Sequence, residues 1–117
     1  MPTYITKPKP DEDFYVAWST VVDAPTYWGT REQVRQDLAF MGPGAADAER
    51  FERADKTGTS AMYGDGQWSW SKFYIREVIP YRNGFFGYIR RENLRELCGR
   101  LERDESVDEL IEWEPEQ

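Results

Sequence analysis

Residues 68–103 carry the sequence WSWSKFYIREVIPYRNGFFGYIRRENLRELCGRLER, and the pattern of this stretch decides the predicted fold. Residues 72–79 alternate and are rich in β-branched and aromatic types, as is typical of a half-buried strand. Asn83 and Gly84 tolerate the backbone of a tight type I′ turn, after which residues 85–89 return as a second strand. The next apolar residues recur at helical spacing, at Leu94, Leu97, Cys98 and Leu101. We therefore predict a strand, a turn, a strand and a helix.

The chain before this stretch predicts one further strand and two helices. Residues 14–22 alternate in a strand with apolar residues on both faces, which indicates that both faces are covered. Thr30 and Gln33 form a capping box at the start of a helix that continues to about Met41. A second helix is predicted over residues 45–54, where the apolar positions are weakly periodic.

A weaker hairpin pattern joins residues 59–63 to residues 67–70 across Gly64, Asp65 and Gly66. This weaker hairpin is written as the bracketed strand in the predicted order of elements, which is β-α-α-(β)-β-β-α. We therefore predict an α+β fold, in which about three helices pack on a three- or four-stranded antiparallel sheet.

Composition divides the chain into three predicted parts. Residues 1–12 alternate lysine with proline near their end, and we expect an extended arm that makes no ladder bonds. Residues 13–103 are predicted to form a single α+β domain. Residues 104–117 hold seven of the 22 acidic residues and no base, so the other 15 acids balance the 15 bases. We expect an acidic tail here. Its apolar residues favour either a short helix or an edge strand. They would either dock onto a partner or fold back onto the domain.

Several classes of function are disfavoured by composition. The chain has no histidine and one cysteine, Cys98, which excludes His-dependent catalysis, His-ligated zinc and an intramolecular disulfide. We expect no metal, no cofactor and a reducing, cytoplasmic location, since no apolar leader or membrane-length run is present. Nucleic-acid binding is not expected without a basic patch. Because no residue set fits a nucleophile, a base and an orienting group, we expect that the protein is not an enzyme.

One short motif carries a catalytic resemblance. Asp55-Lys-Thr-Gly-Thr59 resembles the phosphorylation motif of the P-type ATPases, in which the aspartate accepts a phosphoryl group. In that family the motif follows a hydrophobic parallel strand at the switch point of an α/β sheet. A charged helical pattern precedes it here, so we predict a helix C-terminus followed by a turn at Gly58.

Seven residues are candidates for contact with a partner protein: Asp23, Tyr27, Trp28, Arg31, Trp68, Trp70 and Trp113. The first four lie in a loop between a strand and a helix, where binding residues are common. The tryptophans and tyrosine would serve as aromatic anchors and the arginine as a planar charge partner. If strand-borne, Trp68 and Trp70 share one face and could instead stack on a sugar or a base. The alternatives are that the tryptophans pack in the core and that Asp23 accepts hydrogen bonds from backbone N–H groups of the turn.

Residues 15–25 and 29–31, together with residues 53–60, resemble small uncharacterised proteins of actinobacteria and their phages. The resemblance covers roughly half of the chain and implies an accessory protein of a phage or mobile element, without an activity attached. We therefore expect a non-catalytic protein-binding protein that inhibits a host or defence protein. The alternative is a small-ligand or glycan-binding domain that uses exposed tryptophan and tyrosine.

Overall fold

The computed structural model describes residues 3–116 and has two three-stranded antiparallel sheets with three α-helices, so the predicted α+β class is confirmed. The strands are β1 (Thr3–Thr6), β2 (Tyr15–Ser19), β3 (Ala24–Gly29), β4 (Lys72–Ile75), β5 (Phe85–Arg90) and β6 (Ile111–Pro115), and the helices are α1 (Arg31–Leu38), α2 (Ala48–Thr57) and α3 (Leu94–Glu102). The strand orders are β1-β2-β3 and β4-β5-β6, so the strands divide between two sheets instead of forming one.

Two hydrophobic cores lie on opposite faces of the first sheet. The first core contains Ile5, Tyr15 and Ala17 of that sheet, packed against Phe51 and other residues of α1 and α2. The second core combines the opposite face of the first sheet with the inner face of the second sheet and with α3, and its strand residues include Tyr4, Val16, Trp18, Phe73, Ile75 and Ile89. All five residues of β2 are buried, which confirms that this strand is covered on both sides.

The helix ends follow local sequence signals. Thr30 Oγ1 accepts a hydrogen bond from the Gln33 amide, and Gln33 Oε1 accepts one from the Thr30 amide, so the predicted capping box of α1 is present. Gly58 ends α2 in the left-handed conformation with a φ of 87°, and its N–H donates to the carbonyl of Ala54. The predicted turn at Gly58 is therefore confirmed.

The chain ends take part in the sheets. We expected residues 1–12 to form an arm without ladder bonds, but Thr3–Thr6 pairs with β2 in the register that places Thr3 opposite Ser19. Pairing is favoured here because Ile5 and Tyr4 bury their side chains in the two cores, one on each side of the sheet. The part of that prediction that concerns residues 1 and 2 lies outside the described residues.

Of the alternatives for the acidic segment, the edge strand is formed. Ile111–Pro115 pairs with β5 as β6, and Val107 and Ile111 are buried in the second core. Glu112 and Glu114 point outward and form ion pairs with Arg90 and Lys72. The segment therefore contributes a strand and core residues as well as charge.

The free edge of β6 offers few hydrogen-bond donors. Glu116 N–H donates to the Gly84 carbonyl, and because bonded pairs alternate along an antiparallel ladder, residues 111, 113 and 115 face the free edge. The Ile111 N–H donates to the Asp108 carbonyl, and Pro115 has no N–H. The Trp113 amide is thus the donor that remains on this edge of the strand.

The hairpin of the second sheet has a longer connection than the sequence suggested. β4 ends at Ile75 because the loop that follows is held by the first sheet: the Arg76 amide donates to the Asp23 carbonyl at 2.8 Å, and the Glu77 amide donates to the Val22 carbonyl at 3.2 Å. Among the described residues, positive φ in non-glycine residues occurs at Asp23 and Asp104, so Asn83 does not adopt the backbone that a type I′ turn requires.

The weaker hairpin predicted around Gly64–Gly66 is wrong. Residues 61–71 form successive turns, which the buried side chain of Arg91 holds in place. Arg91 Nη1 donates to the Gln67 carbonyl at 2.5 Å, and Nη2 donates to Thr6 Oγ1 at 2.9 Å and to the Gly66 carbonyl. The Gly66 and Gln67 carbonyls are therefore bound by a guanidinium, and Thr59 of the predicted hairpin forms an isolated β-bridge with Thr6 instead of pairing with residues 67–70.

No helix within residues 3–116 is long and apolar enough to cross a membrane.

Cys98 makes stability depend on alkaline pH. Burial, with a smaller effect of the Glu102 charge, raises the pKa of its thiol from 9.0 to about 12. The folded state therefore keeps a proton that the unfolded chain loses, and this contribution to stability is complete below about pH 9 and falls as the pH rises further. We expect urea unfolding to show a lower free energy at about pH 10 than at about pH 8, and a smaller difference in Cys98→Ala. Equal pH dependence in the two proteins would contradict this assignment.

Candidate functional site

The outward face of the second sheet is rich in aromatic side chains. On β4 and β5 the odd-numbered residues Phe73, Ile75 and Ile89 are buried, whereas the even-numbered side chains point to solvent. At the end of the sheet that the 76–84 loop covers, Tyr74 and Phe86 from this face meet loop residues and two side chains at odd positions, Phe85 of β5 and the partly buried Trp113 of β6. We define the aromatic surface as Tyr74, Tyr81, Arg82, Phe85, Phe86 and Trp113.

The aromatic surface encloses a small hollow of about 160 Å³. Its rings are not coplanar, since Tyr74 and Phe86 have centroids 5.7 Å apart and an interplanar angle of 89°. Tyr81 is 84% exposed and Phe86 is 39% exposed. Aliphatic side chains of the loop, among them Ile79, complete the lining. The rings that line the hollow thus do not form one flat platform.

Arg82 lies over two rings of this surface. Its Cζ atom is 4.5 Å from the centre of the Trp113 ring and 5.9 Å from that of Phe85. No carboxylate within residues 3–116 forms an ion pair with Arg82. A stacked guanidinium keeps its N–H donors in its plane, so they remain free to bind an external carboxylate or carbonyl.

Two contacts hold the 76–84 loop against the sheet. A Cβ added at Gly87 would lie 2.5 Å from Ile79 Cδ1, so the absence of a side chain on β5 lets the loop pack closely. On the other side of the loop, Arg76 Nε donates to Asp23 Oδ2 at 3.2 Å and Arg76 Nη2 donates to the Val21 carbonyl at 2.9 Å. The aromatic surface is therefore supported by both sheets.

Three of the seven candidate residues lie on or beside the aromatic surface. Trp113 belongs to it, and Asp23 supports the loop through Arg76. Trp70 packs on Phe73 with a centroid distance of 5.6 Å and shares a second hollow with Asp23 and Tyr74. The structure thus brings Asp23, Trp70 and Trp113 to one region of the molecule.

The other four candidate residues are directed elsewhere and bind within the chain. Tyr27 packs against the first core. Trp28 Nε1 donates to Glu102 Oε1 at 2.9 Å, in a cleft between β3 and α3. Trp68 lies in a turn, where its Nε1 donates to the Lys56 carbonyl at 3.1 Å and Arg91 covers its ring. Since Trp68 and Trp70 are not on a strand, they do not form the shared face on which sugar stacking depended.

Arg31 belongs to a charged cluster around Asp55. Lys7 Nζ and the Tyr15 hydroxyl donate to Asp55 Oδ1 at 2.8 and 2.6 Å, and Arg31 Nη1 lies 3.7 Å from Oδ2. Burial alone would raise the pKa of Asp55, but the hydrogen bonds from Lys7 and Tyr15 outweigh it, so the pKa lies below its usual value. Both oxygens of the motif aspartate are therefore engaged, at the C-terminal end of α2.

Sequence reasoning missed most of the aromatic surface. Tyr74 and Phe86 stand at even positions on the hairpin, where polar residues are usual if the face is solvated. That irregularity in the alternation was a signal for an exposed binding face. The loop residues Tyr81 and Arg82 carried no such signal, because their position depends on the contacts of Arg76 and Ile79.

No group of three or more metal-ligating side chains is present within the described range, residues 3–116. Comparison of the chain with protein-family models, with curated proteins and with solved structures found no match.

Proposed function

We propose that the chain is a non-catalytic protein-binding protein that contacts its partner through the aromatic surface. The observation that carries the proposal is the concentration of five aromatic rings and Arg82 around one small hollow. Tryptophan, tyrosine and arginine are the residues that dominate the binding energy of protein interfaces, especially around a pocket that excludes water. A partner would insert an apolar side chain into the hollow and place an acceptor next to Arg82.

The ring geometry favours a protein over a glycan as the ligand. Stacking of a sugar on two neighbouring rings at once needs the rings to be nearly coplanar, and the perpendicular planes of Tyr74 and Phe86 do not provide this. The glycan alternative depended on Trp68 and Trp70, and the indole N–H of Trp68 is already bound to Lys56.

The reactive groups of the chain also support a binding role. Asp55 is held by Lys7 and Tyr15, and burial raises the pKa of the Cys98 thiol, which disfavours the nucleophilic thiolate. The resemblance of residues 15–25, 29–31 and 53–60 to small uncharacterised proteins of actinobacteria and their phages supports an accessory protein that blocks a host or defence protein. A single buried thiol supports a reducing cytoplasm as its location.

The proposal is tested by comparing two double variants of matched exposure. Tyr81→Ser with Phe86→Ser alters the aromatic surface, and Phe40→Ser with Met41→Ser alters residues that are 90% and 42% exposed elsewhere. The immobilised wild type is used to capture a partner from actinobacterial lysate, and the affinity of the purified partner is then measured by calorimetry. Loss of two interface anchors is expected to weaken binding at least about 30-fold, roughly 2 kcal/mol, and the Phe40 pair is expected to leave it unchanged.

Equal affinity of both double variants for the captured protein would overturn the assignment of the surface. The glycan alternative is tested by tryptophan fluorescence with a panel of oligosaccharides. A fluorescence shift that is retained in Phe40→Ser with Met41→Ser but lost in Tyr81→Ser with Phe86→Ser would favour glycan binding instead.

A further inference from the structure

A second cleft shares no lining residue with the aromatic surface. It occupies about 500 Å³ between β1, α2 and the turns that follow α2, which is the size of a typical small-molecule site. We call it the arginine cleft, and the lining residues that matter are Thr3, Arg50, Arg53, Ser60, Tyr63 and Asp65.

Both arginines of the cleft are held in place by main-chain carbonyls. Arg50 donates from Nη1 to the Ala45 carbonyl at 2.6 Å and from Nη2 to the Thr3 carbonyl at 2.7 Å. Arg53 donates from Nε to the Ser60 carbonyl at 3.1 Å. Anchoring through Nε leaves the Nη1 and Nη2 groups of Arg53 without an acceptor among residues 3–116. The fork that binds carboxylate or phosphate through two parallel hydrogen bonds is therefore unoccupied and preorganised.

The charge of the two arginines is not neutralised by ion pairs. Neither guanidinium pairs with a carboxylate in the part of the chain that the structure describes, although that part forms twelve ion pairs elsewhere. Burial lowers the pKa of Arg50, and the charge of Arg53 lowers it further, whereas Asp47 raises it. Asp65 is the one acidic residue among the described lining residues, so the cleft keeps a net positive charge in an acidic protein. An anion bound between the arginines would relieve their repulsion.

The mouth of the cleft adds an apolar wall. The side chains of Tyr63 and Met62 line it and are 96% and 82% exposed. Exposed side chains of this kind lose water-accessible apolar area when a ring or an aliphatic group lies against them. The Ser60 hydroxyl accepts the Ile5 amide at 2.8 Å, so its own proton is available to a ligand oxygen.

We propose that the arginine cleft binds a small molecule in which a phosphate or carboxylate oxyanion adjoins an aromatic or aliphatic group. The oxyanion is held by the Nη atoms of Arg53 with support from Arg50, and the apolar part lies against Tyr63 and Met62. The site is independent of protein binding at the aromatic surface.

The test uses inorganic phosphate, phenyl phosphate and benzoate as probes, titrated into the full chain at low ionic strength and followed by nuclear magnetic resonance. Phenyl phosphate or benzoate is expected to shift the Arg53 Nε–H and Tyr63 signals. The probe that binds with the higher affinity identifies the preferred oxyanion. Inorganic phosphate is expected to bind more weakly because it lacks the apolar group. No shift at these residues with any probe would overturn the proposal.

Two variants and a matched control separate a built site from general charge attraction. Arg53→Gln is expected to weaken binding of the tighter-binding probe at least about tenfold. Arg53→Lys is expected to weaken it less, because lysine keeps the charge but lacks the two parallel N–H donors of the guanidinium. Arg103→Gln removes the same charge from an exposed residue that lines neither the arginine cleft nor the aromatic surface, and it is expected to leave the affinity unchanged. Equal losses in Arg53→Gln and Arg103→Gln would show non-specific attraction and overturn the site. The exposed side chain of Tyr63 is not needed for folding. Tyr63→Ser is expected to weaken the binding of phenyl phosphate but not that of inorganic phosphate.

Discussion

Deleting residues 104–117 is expected to abolish the cooperative unfolding transition of the chain. The deletion removes β6, which pairs with β5 along five positions, and with it the buried side chains of Val107 and Ile111. Burial of two such side chains stabilises a fold by about 1.5–3 kcal/mol each, and the exposed edge of β5 adds to the loss, against a total stability of about 5–15 kcal/mol. Far-ultraviolet circular dichroism during urea titration measures the outcome.

Charge alone is not expected to explain the effect of the deletion. In Glu112→Gln with Glu114→Gln the strand remains and two exposed ion pairs are lost, which costs about 1 kcal/mol or less. A truncated chain with the same transition midpoint as the double variant would contradict the role of β6 in the fold. The deletion is consequently unsuited to testing partner binding, since it is expected to unfold the aromatic surface that Trp113 completes.

Replacing Arg91 by methionine is expected to lower the free energy of unfolding by about 3 kcal/mol. The guanidinium is buried and serves the carbonyls of Gly66 and Gln67, and its Cζ lies 5.1 Å from the centre of the Trp68 ring and 5.2 Å from that of Phe73. Methionine fills similar volume but donates no hydrogen bond, so each carbonyl loses its charged donor inside the fold. The Gln67 carbonyl keeps the bond from the Trp70 amide, and the Gly66 carbonyl keeps that from the Thr6 hydroxyl. Arg91 is 7% exposed, and this burial lowers the pKa of its side chain to about 10.

The neighbouring residue supplies the control for this substitution. Arg90 is exposed and pairs with Glu112, so Arg90→Met is expected to cost about 1 kcal/mol or less in the same urea titration. Arg91→Lys should fall between the two, because an ammonium donates hydrogen bonds but cannot span both carbonyls in one plane. Equal losses for Arg90→Met and Arg91→Met would show that the carbonyl contacts contribute nothing to stability.

The elements that could be predicted are those whose causes lie within a few residues. Thr30 and Gln33 cap each other, and Gly58 supplies the left-handed residue that ends α2, so neither depends on distant chain. β1 and β6 were harder to predict because they depend on partners far away in sequence. Tyr4 and Ile111 become core residues through contacts with other strands, which short windows of sequence do not contain.

The same limit applies to the candidate site. Tryptophan is a frequent anchor, which is why Trp28 and Trp68 were proposed, but each is held by an internal acceptor, Glu102 or the Lys56 carbonyl. Exposure of an aromatic ring depends on which neighbours cover it, and residue type does not report this. Trp113 reaches the aromatic surface only because β6 pairs with β5 in the observed register.

The outer edge of β6 has a consequence for behaviour at high concentration. A strand that joined this edge would find the Trp113 amide as a donor, no donor at Pro115 and an Ile111 amide already bound. Glu112 and Glu114 would also bring like charges together if two copies aligned their β6 strands. Proline and charge are the features by which sheet proteins resist edge-to-edge aggregation. The chain can therefore display exposed aromatic rings beside this strand without growing into fibrils through it.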